Sequence, residues 1–124
     1  MSKAIPIFRI FDYEKALEHY VGWMGFKIDW EYKPEGSPKY LQISLGNLSL
    51  HLTEHHGDCT PGSRVYVENF PDLPAYHAQL LAREYKFSRP GLETPFYDEN
   101  LWEVTTGDPF GNRLTLTSPK WTRR

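Results

Sequence analysis

The segment Leu48-Ser49-Leu50-His51-Leu52-Thr53 carries the residue best suited to chemistry, a histidine inside a strand-like alternation. Leu48, Leu50 and Leu52 take one face, so Ser49, His51 and Thr53 must take the other. A histidine placed this way hydrogen-bonds a neighbour or a ligand, or serves as one ligand of a metal. Glu54, His55 and His56 follow at once and add donor atoms, but successive loop residues rarely converge on one ion, so they read as a solvated loop. Glu68 and Glu103 would form an acid and base pair if their strands met. Without a sign of burial to shift a pKa, they read as surface or ligand-orienting carboxylates. Cys59, the single cysteine, has no catalytic signature around it and reads as a loop thiol. The sequence contains no Gly-x-Ser-x-Gly elbow, phosphate-cradling glycine loop or Cys-His family signature, which removes the common nucleophilic chemistries.

Composition narrows the classes further. At 124 residues and 40% hydrophobic, the chain is sized for one domain, 1–124. A net charge of −2 argues against a nucleic-acid footprint, and Lys120, Arg123 and Arg124 read as a solvated tail. No apolar run nears the roughly 20 residues that span a bilayer, and the N-terminus lacks a basic-then-apolar secretory pattern. One cysteine cannot close an internal disulfide, so a cytoplasmic protein is expected, with no membrane or nucleic-acid partner.

The elements that must position these residues come in two similar runs. Ile5 to Ile10 reads as a strand and Asp12 as the cap of a helix whose buried face is Ala16, Leu17, Tyr20 and Val21, stopped by Gly25. Strands follow at Lys27 to Tyr32, Tyr40 to Leu45 and Leu48 to Thr53, the last two joined by Gly46-Asn47. The second run has a strand from Arg64 to Glu68 and a helix from Leu73 to Tyr85 through Tyr76, Leu80 and Leu81, with Pro71 and Pro74 at or before its first turn. A short strand at Lys86 to Arg89, a turn-rich loop from Pro90 to Asn100, and strands at Leu101 to Gly107 and Arg113 to Ser118 complete it. Asp108-Pro109-Phe110-Gly111-Asn112 between the last two is a tight-turn signal, proline pre-setting φ and glycine supplying a conformation that L-residues resist. Each half therefore reads as βαβββ, an internal repeat.

The helix entry at Asp12, the Gly25-Phe26 pair and the Asp108-Pro109-x-Gly111-Asn112 turn recur in the order seen in the glyoxalase, bleomycin-resistance and extradiol dioxygenase superfamily, also called vicinal oxygen chelate. From about Ile5 to Ser118 the chain resembles that family, and within it the bleomycin-resistance-like members. The resemblance implies an α+β glyoxalase-like fold of two βαβββ modules, about 4–56 and 62–119, with curled mixed sheets, outer helices and a concave cup. It also implies a homodimer. Metal-dependent relatives hold ligands at positions that fall here on Ile5, His51, Gly62 and Thr115. Only His51 can bind a divalent ion, and one histidine does not make a site, so no metal and no cofactor are expected.

Strand parity then assigns the cup. Tyr40, Gln42, Ser49 and His51 face it from the first module, with Trp30 and Tyr32 sharing a face of their strand. Arg64, Tyr66, Glu68, Arg113 and Thr115 face it from the second, with Trp102 and Glu103 on the strand before the turn. Glu103 stands where binding proteins of the family often carry glutamate. Arg9 shares the cup-facing parity, whereas Trp23 and Phe26 read as packing at the helix end. Aromatic walls with Arg, Glu and Gln suit a flat heteroaromatic ligand. The expected function is metal-free binding and sequestration of an antibiotic or other aromatic compound, with a metal-dependent glyoxalase-like lyase or dioxygenase as the alternative.

Overall fold

Asp12 opens the first helix by accepting the Lys15 N–H at 3.0 Å, one of the donors a helix start leaves unpaired. The computed structural model describes residues 2–121, so Arg123 and Arg124 lie outside the described residues. In chain order the elements are β1 (Ile7–Arg9), α1 (Tyr13–Leu17) continued by a π-helical segment (Glu18–Trp23), β2 (Lys27–Tyr32), β3 (Tyr40–Leu45), β4 (Leu48–Thr53), β5 (Arg64–Val67), α2 (Leu73–Ala82), β6 (Leu101–Gly107) and β7 (Arg113–Pro119). The architecture is the expected α+β one of mixed sheets. It divides into two compact units, 1–63 with 108–112, and 64–107 with the chain from 113 onward.

The first unit holds a four-stranded sheet in the order β1-β4-β3-β2, with β1 parallel to β4 and the other pairs antiparallel. Phe8, Leu41, Ile43, Leu50 and Leu52 are fully buried on its core face. The helical face differs from the one the spacing predicts. Ala16, His19, Tyr20, Trp23 and Met24 are buried, while Leu17 and Val21 are only half-buried. A π-helical turn accommodates an extra residue, which rotates the following side chains and brings His19 and Trp23 inward. Trp23 and Phe26 pack at the helix end as expected. Burial lowers the pKa of His19 to about 4, so its imidazole is neutral at pH 7.

The turn between β6 and β7 belongs to this first unit, although the strands belong to the second. Asp108 is buried and its carboxylate accepts the Tyr20 hydroxyl at 2.7 Å and the Asn112 carboxamide at 2.9 Å, together with the backbone N–H groups of Phe110 and Asn112. Asn112 also donates to the Arg9 carbonyl at 2.8 Å and accepts from the Gly62 and Ser63 N–H groups at 3.2 Å each. Gly111 has φ +91°, the conformation the turn signal required.

The second unit holds three strands in the order β5-β7-β6, with β5 parallel and β6 antiparallel to β7. Helix α2 packs on β6 and β7 through Leu73, Tyr76 and Leu80, with Pro74 in its first turn. The strand expected at Lys86 to Arg89 does not form. The helix ends at Ala82, Lys86 and Phe87 lie in a turn, and Pro90 brings no N–H for a ladder. In its place Glu93 makes an isolated two-bond bridge to Glu103, at 2.8 and 2.7 Å. Lys120 is not a solvated tail residue, since its ammonium donates to Thr94 at 2.7 Å and lies 4.4 Å from the Trp102 ring centroid.

Two expected outcomes follow from this framework. A Cβ on Gly111 would sit 3.7 Å from the Gly62 Cα, an ordinary contact, so Gly111→Val pays chiefly for its φ; thermal unfolding should show a loss of about 1 to 3 kcal/mol. For His19 the native pKa lies below the ordinary imidazole value of 6.5, so between these the unfolded chain binds a proton that the native chain does not. Its contribution is whole above the unfolded pKa and lost as pH falls, amounting to about 3 kcal/mol at pH 4. Urea midpoints measured from pH 7 to 4 should fall less steeply in His19→Phe than in wild type, and equal slopes would overturn the assignment.

Candidate functional site

A bulge in β2 decides which side chains share a face of the first sheet. Ile28 pairs with Ile43, but the next pair is Trp30 with Gln42, leaving Asp29 as an extra residue. Ile28 therefore stands on the core side, while Trp30 and Tyr32 stand opposite it with Gln42 and Tyr40. Through the pairs Gln42 with His51, Ser44 with Ser49 and Arg9 with Thr53, the same face collects Ser49, His51 and Arg9. All six site residues expected in this module thus share one face. Trp30 and Tyr32 are 44% and 60% exposed, so neither is a core residue here. The Trp30 and Tyr40 rings are nearly parallel, 6° apart with centroids at 6.1 Å, and each meets His51 edge-on at 5.2 Å.

Hydrogen bonds join this cluster in a relay that assigns one tautomer to the neutral His51 ring. The Asp29 carboxylate can only accept, and it takes the Gln42 amide N–H at 3.0 Å and the Ser44 hydroxyl at 2.9 Å. These bonds, Gln42 first and then Ser44, hold its carboxyl below its ordinary pKa against some desolvation. Gln42 must then present its oxygen to His51 Nε2 at 3.0 Å, so Nε2 carries the proton. His51 Nδ1 is left as an acceptor, and the Tyr40 hydroxyl donates to it at 2.8 Å. Burial, then Asp58 and Cys59, raise the Tyr40 pKa and keep that donor protonated. Sequence parity found His51, Tyr40 and Gln42 but missed Asp29, because the bulge that turns it toward them is invisible to a period-two reading.

The second unit presents a more polar face. The Arg64 guanidinium donates to Thr115 at 3.0 Å, and Thr115 bonds Thr105 at 3.1 Å across β7 and β6. Tyr66 and Tyr97 share a 2.7 Å hydroxyl bond that pushes the Tyr97 pKa up to about 12. Tyr97 lies in a loop and carried no sequence signal. Glu103 shares the Thr105 side, whereas Trp102 alternates with it and stands with the buried Val104 and Thr106. There it lines a separate cavity of about 400 Å³ with Phe70, Leu73 and Ser118. Trp102 and Glu103 therefore do not line a common wall. Glu68 falls just past the end of β5, and β7 intervenes between β5 and β6, which separates the Glu68 and Glu103 strands by about 9 to 10 Å. Arg113 is exposed opposite Arg64.

A family model described as glyoxalase superfamily protein matches residues 1–121. The chain belongs to the glyoxalase superfamily. Among curated proteins, none matches its sequence. Solved structures share its fold, the vicinal-oxygen-chelate fold. The antibiotic-binding protein TnmS3 from Streptomyces sp. CB03234 is 23% identical with a TM-score of 0.67, over 95% of this chain and 97% of that one. A bleomycin-binding protein complexed with bleomycin is 19% identical with a TM-score of 0.71, over 95% and 98%. The bleomycin resistance determinant encoded on the transposon Tn5 is 18% identical with a TM-score of 0.68, over 98% and 100%.

Membership in the glyoxalase superfamily raises the question of a metal, and the residues present do not fit one. Of the four positions that metal-dependent relatives would use, Ile5 has no donor side chain and Gly62 has no side chain at all. Thr115 is buried with its hydroxyl engaged by Arg64 and Thr105. His51 donates through one nitrogen and accepts through the other, so neither offers a lone pair while the relay stands. Among the described residues no three His, Cys, Asp or Glu side chains gather into a metal-sized group. His55 and His56 form no such cluster with His51; His55 instead approaches Asp58 at 3.6 Å. No described helix is long and apolar enough to cross a membrane.

Proposed function

We propose that this glyoxalase-superfamily chain is a metal-free binding protein that sequesters a flat aromatic compound, of the antibiotic kind, without transforming it. The observation that carries this reading is the exposed Trp30 ring, parallel to the half-buried Tyr40, beside a histidine whose hydrogen bonds are complete. Exposed aromatic faces offer stacking area at low entropic cost, whereas a saturated histidine offers neither a free base nor a metal ligand. The fold shared with antibiotic-binding and bleomycin-binding proteins supports the same direction. Ligand contacts on the first sheet are assigned to Trp30, Tyr32, Tyr40 and Ser49; on the second sheet, taken by itself, Arg64, Tyr66, Glu103 and Arg113 are the candidate contact residues. Gln42, His51 and Thr115 position their neighbours. In a producing or resistant cell such a protein would act in the cytoplasm and confer resistance by lowering free drug.

The reading extends to assembly. Among the described residues the first sheet ends in the open edges β1 and β2 and the second in β5 and β6, the latter bridged only at Glu103 by Glu93, and open edges are normally covered. We take the working form to be a homodimer with each site present twice. Sedimentation at micromolar concentration should give twice the 14.5 kDa chain mass, and a monomer would overturn this.

Calorimetric titration with 2-naphthamide and with bleomycin tests the site. Trp30→Ala should weaken binding of whichever compound binds by more than tenfold, about 1.5 kcal/mol, whereas Trp102→Ala, on the other face of its strand, should change it less than about twofold. EDTA should have no effect. Undiminished affinity in Trp30→Ala, or loss of binding with chelator, would sink the stacked, metal-free reading in favour of a metal-dependent lyase or dioxygenase.

A further inference from the structure

Arg9 ends β1 on the same sheet face as His51, and the residue is 9% exposed. Its guanidinium lies 4.6 Å from the Phe11 ring centroid and makes one hydrogen bond, through Nη1 to the Ile10 carbonyl. No carboxylate comes within ion-pair range of it among the described residues. Four acids of the first unit are occupied elsewhere: Asp58 by Thr53 and His55, Asp108 by Tyr20 and Asn112, Asp29 by Gln42 and Ser44, and Glu54 by Lys39. A buried cation without a counter-charge is costly, because burial strips its water and one carbonyl and an aromatic face replace it only in part. Arginine cannot escape by losing its proton.

That cation borders a cavity of about 410 Å³ lined by Arg9, Phe11, His56, Cys59, Thr60 and Pro61, all within the first unit. The volume is that of a small-molecule pocket. Burial, and then Asp58, raise the pKa of the Cys59 thiol more than the nearby Arg9 lowers it, so it supplies no thiolate to balance the arginine. Phe11 and Pro61 give apolar walls, and His56 and Thr60 give polar ones. The free edge of the guanidinium presents paired N–H donors in the fixed fork that matches a planar carboxylate.

We propose that the Arg9 cavity is an anion subsite that takes the carboxylate of an acidic aromatic ligand. The proposal rests on the reading above that this sheet face binds a ligand, and it narrows the ligand class from aromatic to acidic aromatic. Arg9 is the counter-charge the ligand must bring its anion to, and the ligand in turn completes the pairing that the protein leaves open.

Calorimetric titration with 2-naphthoate, its neutral isostere 2-naphthamide and inorganic phosphate tests it, on wild type, Arg9→Gln and Arg9→Lys. Wild type should bind 2-naphthoate at least about tenfold more tightly than 2-naphthamide, and more tightly than phosphate. Arg9→Gln should erase that preference by weakening the acid alone, while Arg9→Lys retains part of it. Without ligand, Arg9→Gln should unfold at the same temperature as wild type or higher, because it removes an unpaired buried charge. Equal affinity of wild type for acid and amide overturns the anion subsite but leaves the aromatic reading standing. Failure of both naphthalenes to bind wild type overturns both. Tighter binding of phosphate than of naphthoate, persistence of the acid preference in Arg9→Gln, or a lowered melting temperature in that variant each overturns the proposal.

Discussion

One buried carboxamide holds the first unit in register with itself. Asn112 spans the Arg9 carbonyl at the end of β1, the Gly62 and Ser63 amides at the end of the following linker, and the Asp108 carboxylate, which in turn accepts the Tyr20 hydroxyl from the helix. Each of these groups is withdrawn from water, so each would cost free energy if left unpaired. The polar node therefore specifies one arrangement where apolar packing alone would tolerate several. The glycine at 111 exists to let the chain reach it, and the position of Arg9 is set by its own carbonyl being pinned there.

From that anchored strand, sheet pairing transmits placement across the binding face. β1 sets β4, β4 sets β3, and β3 sets β2, so Arg9, His51, Gln42 and Trp30 take fixed lateral positions. The bulge at Asp29 adds the one departure from regular pleating. It lets Ile28 serve the core while Trp30 and Tyr32 remain outside, and it brings a carboxylate beneath Gln42. A single acceptor-only group then determines the amide orientation, the imidazole tautomer and the direction of the tyrosine hydroxyl in turn. Such a chain is rigid in its hydrogen atoms as well as its heavy atoms, which suits a wall better than a reacting centre.

The charge pattern has a similar economy. Asp29, Glu54, Asp58 and Asp108 of the first unit are engaged by local donors, whereas Arg9 is buried on a cavity with no carboxylate in ion-pair range among the described residues. In the second unit Arg64 is instead tied to a threonine ladder and Lys120 to Trp102 and Thr94. An excess of acidic residues over basic ones in the whole chain, net −2, thus conceals a locally unbalanced cation, and bulk charge is a poor guide to the sign a ligand meets.

Period-two alternation and turn chemistry made most of the fold legible in the sequence. The strands at β2, β3, β4, β6 and β7, the Asp12 cap, the Asp108–Asn112 turn and the shared face of Tyr40, Gln42 and His51 all follow from local rules about which way successive side chains point, whereas the β2 bulge at Asp29 put Trp30 and Tyr32 on that face. The family resemblance follows from the same residues. What tertiary structure alone decided were the departures from those rules. The π-helical turn moved His19 and Trp23 inward, and the strand expected at Lys86 to Arg89 gave way to the Glu93 bridge. Trp102 and Glu103 are neighbours in sequence, and adjacency on a strand means opposite faces, so only Glu103 shares the side of Thr105. The missing partner of Arg9 was likewise unreadable, since pairing depends on which acids are already occupied by groups far away along the chain. Local sequence dictates backbone periodicity because the steric rules act over a few residues; hydrogen-bond saturation and charge balance are sums over neighbours in space, and only the folded chain specifies those neighbours.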